Sequence, residues 1–159
     1  MMLVCTVACA RSSVPATPSE EVPESLGADD AIMLYRSPCY AGCPVYSVRI
    51  ARDGRVAYDG RQRVSKLGTA TAQVSPGRVD GLLGEIEAAG YFEFADRYRP
   101  SERACGNYVP DAPTVITTVR LGDRVKRIEH DHGCGGAPAA LRATSHGRSC
   151  AAWAVARRA

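Results

Sequence analysis

The chain has 159 residues, of which 45% are hydrophobic and 23% charged, with a formal net charge of +3. That length suits one domain of modest core plus tails, and the composition excludes both a disordered chain and one dominated by membrane spans. The small charge, carried mostly by scattered arginines rather than a dense basic stripe, argues against nucleic acid as a partner.

The opening Met-Met-Leu-Val-Cys-Thr-Val-Ala-Cys is apolar and rich in small residues. Thr6-Val7-Ala8-Cys9 resembles the lipobox of bacterial lipoprotein signals, with Ala8 just before the cysteine that would carry lipid. Residues 1–9 therefore read as a truncated lipoprotein-type signal. The apolar stretch is shorter than a signal core of about 7–15 residues and lacks a basic leader. A start codon placed too far downstream would leave such a remnant. Seven cysteines point the same way, to an exported chain in an oxidising compartment. Membrane contact is then expected only through lipid on Cys9. Residues 10–30 hold Pro, Ser, Ala and acids but almost no large apolar side chain, the composition of a flexible linker.

The folded domain is expected over residues 31–145. Ile32 to Tyr35 reads as a short strand leading into Ser-Pro-Cys-Tyr-Ala-Gly-Cys-Pro, residues 37–44. Beyond Pro44 the chain alternates, with Tyr46, Val48 and Ile50 on one face. Arg52-Asp53-Gly54 turns it. A two-residue loop would scramble the faces, whereas a three-residue loop with Gly54 at positive φ pairs Ile50 with Val56 and Val48 with Tyr58. Ser75-Pro76 starts a helix, Val79, Leu82, Leu83 and Ile86 form its apolar stripe, and Gly90 ends it. Tyr91, Phe92 and Phe94 are expected to plug the core beyond that helix.

A long connection follows, from Asp96 to Pro113, holding Cys105. Its acids Asp96, Glu102 and Asp111 read as turn caps rather than general acids or bases. Thr114 to His130 forms a second hairpin, whose turn at Gly122-Asp123 pairs Val119 with Lys126, Thr117 with Ile128 and Val115 with His130. Pro138 to Ala143 opens a last helix. The order hairpin, helix, loop, hairpin, helix reads as a weak repeat and as an α+β domain: an antiparallel sheet built from two hairpins with helices packed on one face.

The stretches PCYAGCPVYSVRIARDGRVAYDGRQRV, DAPTVITTVRLGDRVKRIEHDHGC and APAALRA resemble a bacterial family known as domain of unknown function 6438, from about Ile32 to Ala143. The resemblance implies an envelope address, because members of that family are often envelope proteins, and it implies no reaction. Similar proteins continue the last helix as a long acidic amphipathic segment. Here residues 146–159 form an atypical tail, broken at Gly147 and free of acids, which reads either as a divergent tail or as a frameshift near Ala143, so His146, Cys150 and Trp153 carry no functional argument.

Cys39, Cys43, Cys105 and Cys134 allow three pairings. The expected one closes Cys39–Cys43 around Gly42 and pins the long loop through Cys105–Cys134. A sharper alternative is a zinc or copper site. His130, His132 and Cys134 alternate along an extended chain, and Cys39 and Cys43 would complete a thiolate–imidazole set. A thiol-redox couple is the third reading. It needs a nearby cation or helix N-terminus, and along the chain only Arg36 offers a charge. Neither Ser37 nor Gly133–Gly136 has the surroundings of a catalytic nucleophile or a phosphate loop. The sequence thus predicts no catalytic residue and no cofactor. Its partner is an unidentified envelope protein or ligand, bound by an exported domain with a binding or structural role.

Overall fold

The computed structural model of the chain describes residues 26–145. The expected signal and most of the expected linker lie outside the described residues, as do Cys5, Cys9, Cys150 and the tail. Seven strands form one sheet: β1 (Asp30–Arg36), β2 (Val45–Ala51), β3 (Arg55–Gln62), β4 (Gly68–Gln73), β5 (Arg97–Tyr98), β6 (Thr114–Leu121) and β7 (Arg124–Asp131). Their order across the sheet is β4-β3-β2-β1-β6-β7-β5. All neighbours run antiparallel except β5, which runs parallel to β7. Only two α-helices are present among the described residues, α1 (Pro76–Ala88) and the short α2 (Ala139–Ser145).

This corrects the expected α+β architecture of two antiparallel hairpins with helices packed on one face. The protein is mainly β, with a mixed sheet. The misreading has a physical source. Strand β4, Gly-Thr-Ala-Thr-Ala-Gln, has no large apolar side chain because it pairs at the sheet edge, so it lacks the alternation that marks a half-buried strand. Strand β5 is two residues long and exists only because Arg97 and Tyr98 lie beside Glu129 and His130.

The two hairpins themselves pair as their parity requires. Ile50 faces Val56 and Val48 faces Tyr58, with Gly54 at φ 88°. Val119 faces Lys126, Thr117 faces Ile128 and Val115 faces His130, with Gly122 at φ 59°. Strand β1 lies between the hairpins, Ile32 opposite both Ile50 and Val119. One face of the sheet therefore carries Ile32, Leu34, Val48, Ile50, Val56, Val115, Val119 and Ile128 into a single core cluster. Val79, Leu82, Leu83 and Ile86 of α1 and Leu141 of α2 join the same cluster. Ser75 occupies the N-cap position of α1, although its side chain makes no capping hydrogen bond, and Gly90 follows the helix at φ 77°.

Beyond Gly90, Tyr91 is buried, and its hydroxyl meets Thr117 O at 3.0 Å and Thr117 Oγ1 at 2.7 Å. Burial pushes that phenol far above its ordinary range. Residues 27–30, at the end of the expected linker, are tied to the sheet. Arg120 donates to Gly27 O and Ala28 O, and Asp30 pairs with Arg49 at 3.0 Å.

Candidate functional site at the disulfide-bonded end of the sheet

The end of β1, the start of β2, the end of β3, the start of β4, the start of β6 and the end of β7 all lie at one end of the sheet. The loops that leave this end carry all four cysteines of the domain. Cys39 and Cys43 form one disulfide, with Cα atoms 5.3 Å apart, and Cys105 and Cys134 form another, at 4.5 Å.

The first disulfide closes the corner between β1 and β2. Pro38 and Pro44 flank it, each withholding a backbone donor and restricting the residue before it. Gly42 sits at φ 81°, which lets the chain reverse, and its N–H donates to Cys39 O at 3.2 Å. The N–H of Cys43 donates to Cys39 Sγ at 3.0 Å. Ser37 anchors the corner to β6: its N–H donates to Thr114 O and its Oγ accepts from the Thr114 N–H, both at 2.9 Å. Arg63, from the loop between β3 and β4, lays its guanidinium on Gly42. A Cβ on that glycine would sit 2.5 Å from Arg63 Cζ. Tyr40, at the tip, is 91% exposed.

The second disulfide is an interior bond, Cys105 and Cys134 each being 1% exposed. It is flanked by backbone hydrogen bonds that knit the long loop to the end of β7. Val109 N–H donates to Gly133 O at 2.9 Å, and Gly135 N–H and Gly136 N–H donate to Asn107 O and Cys105 O, both at 2.7 Å. Tyr108 pairs with Cys134 as an isolated bridge, and its hydroxyl lies 3.4 Å from Asp131 Oδ2. Desolvation, with the Asp131 charge next, raises the Tyr108 phenol above its ordinary range.

His130 is buried on the core face, edge-on to Tyr98 at 5.8 Å and 4.7 Å from the ring of His132. The backbone N–H of His132 donates to Pro113 O at 3.0 Å. Among the described residues, no group of three or more His, Cys, Asp or Glu is placed to hold a metal ion. The sulfurs of Cys39, Cys43 and Cys134 are bonded to sulfur, so as they stand they offer no thiolate to zinc or copper beside His130 and His132.

The loop acids have structural partners or structural places. Asp96 takes the Lys126 ammonium, which holds its carboxyl below the usual range. Asp111 stands at φ 65° in the turn before β6. Elsewhere, an open groove of about 600 Å³ runs over the outer face of β2, β3 and β4, lined by Asp30, Arg49, Arg55, Ala57, Thr71 and Gln73. Its arginines already face carboxylates, Arg49 on Asp30 and Arg55 on Asp53. The disulfide-bonded end is the better candidate, because Tyr40 stands exposed there and Arg63 makes no ion pair among the described residues. Arg63 and Tyr40, the two residues that mark it, belong to no periodic pattern, and Arg63 reaches the cysteine loop only through the β2–β3 pairing.

A family model described as Domain of unknown function (DUF6438) matches residues 30–146. No curated protein matches the chain.

Proposed function

As the chain belongs to that family, whose description names no reaction, we propose that it is an exported envelope domain of a bacterium, anchored by lipid on Cys9, with a binding or structural role. The observation that carries this reading is the pair of disulfides, which persist in oxidising compartments and are reduced in the cytosol of most cells. Among the described residues no helix is long and apolar enough to cross a membrane, which is compatible with attachment through lipid and leaves β-barrels unaddressed. The partner is an envelope protein or a ligand met at the disulfide-bonded end, where Tyr40 and Val109 stand exposed on loops that the cross-links pre-organise and Leu67 stands exposed on the β3–β4 loop at the same end.

The test is expression of the full chain in a bacterium, with radiolabelled palmitate and cell fractionation. The wild type should carry label, sediment with membranes and contain no free thiol at Cys39, Cys43, Cys105 or Cys134. Cys9→Ser should lose the label and leave the membrane fraction. An unlabelled, fully reduced protein in the cytosol would overturn the reading.

A further inference from the structure

We propose that Cys39–Cys43 is a thiol–disulfide exchange site, reacting with the dithiol or disulfide of a partner protein, while Cys105–Cys134 stays closed as a structural bond. The two disulfides differ first in access. Cys105 and Cys134 are 1% exposed, whereas Cys39 and Cys43 lie half-buried on either side of the 91% exposed Tyr40. Exchange needs an incoming thiolate to reach sulfur, and only the first pair permits it.

They differ also in what surrounds the sulfur. The Cys43 N–H points at Cys39 Sγ from 3.0 Å, and Pro38 and Pro44 restrict the backbone on either side of the pair. The Arg63 guanidinium lies on Gly42, the residue before Cys43, and makes no ion pair among the described residues. A backbone donor and an uncommitted cation are the surroundings that stabilise a thiolate. Tyr40, between the two cysteines, and Leu67, on the β3–β4 loop that also carries Arg63, are exposed apolar contacts for a protein partner.

The chemistry balances with the partner's dithiol as reductant. A partner thiolate attacks Cys43 Sγ and the Cys39–Cys43 bond breaks. Its electron pair leaves on Cys39 Sγ as a thiolate, to which the Cys43 N–H donates. The partner's second thiol, its proton passed to Cys39, then attacks the partner sulfur of the mixed disulfide and releases Cys43, which takes a proton from solvent. Two electrons and two protons pass to the Cys39–Cys43 pair, and the partner is left as a disulfide. The reverse sequence oxidises a partner dithiol. Neither direction requires the lipid anchor proposed above.

The experiment uses the full chain, oxidised, in native buffer with dithiothreitol, followed by acid quench, alkylation and peptide mapping. Cys39 and Cys43 should open at least ten-fold faster than Cys105 and Cys134. Thiolate absorbance of the species reduced at this pair alone should titrate at least one pH unit below that of the same species unfolded in guanidinium. Arg63→Gln should move that midpoint back upward while the opening of Cys105–Cys134 is unchanged. With insulin as a probe disulfide, the wild type should accelerate reduction by dithiothreitol several-fold over Cys39→Ser. Equal opening rates for the two disulfides, or a native midpoint no lower than the unfolded one, would overturn the proposal even if the protein proves to be exported and lipidated.

Discussion

Gly54 carries a geometry that no other residue can. Its φ of 88° lies in the left-handed region, and a Cβ there would stand 2.0 Å from Val74 O, a backbone atom that cannot swing away. Its own carbonyl accepts the Val74 N–H at 3.0 Å, so the turn also holds the end of β4. Gly54→Ala should therefore cost about 2–5 kcal/mol, strain and overpacking together. Arg52→Ala, at an exposed position of the same turn, should stay within about 0.5 kcal/mol. Urea titration of the two variants checks this, and equal midpoints would show that the loop is not closed as described.

Among the elements, the cross-links divide the work unequally. Cys105–Cys134 spans 29 residues of sequence and Cys39–Cys43 spans 4. In the chain-entropy account the first removes about 3–4 kcal/mol of unfolded-state freedom and the second about 2 kcal/mol. Replacing both Cys105 and Cys134 by Ser should thus cost more stability than replacing both Cys39 and Cys43, and more than the difference in entropy, because the first pair is buried in the core cluster. Thermal unfolding of the two double variants measures it. The reverse order would mean that the corner at Cys39–Cys43, rather than the long loop, limits the fold. The half-buried disulfide is then the one the molecule can open at least cost, as exchange requires.

At the scale of the whole molecule, the last residues of the stretch that composition marks as linker, 27–30, are tied to the sheet. Residues 10–25 contain only Val14 and Val22 as larger aliphatic side chains, too little to contribute a core. Deleting them should leave the melting temperature within about 2 °C, since that shift corresponds to a few tenths of a kcal/mol in a domain of this size. Deleting residues 10–29 should lower it by several degrees more, because Arg120 loses the carbonyls of Gly27 and Ala28. A large drop from the shorter deletion would move the boundary toward the N-terminus.

The sequence by itself determined the local geometry: the register of both hairpins, the apolar stripe of α1 and the stops at Gly54 and Gly90. Those follow from side-chain period and from glycine's access to positive φ, which are properties of neighbouring residues. It did not disclose β4 and β5, because an edge strand of Thr and Ala and a two-residue strand are held by backbone pairing to partners distant in sequence rather than by their own apolar pattern. The sheet is larger and mixed, rather than two antiparallel hairpins, for that reason. The candidate site divides along the same line. Cys39, Gly42 and Cys43 are legible as a closed corner, but along the chain the corner has no charge nearer than Arg36. Only the tertiary structure brings Arg63 onto Gly42 and sinks Cys105–Cys134 in the core. Electrostatic surroundings and burial depend on distance through space, and that distance is set by how the strands pair.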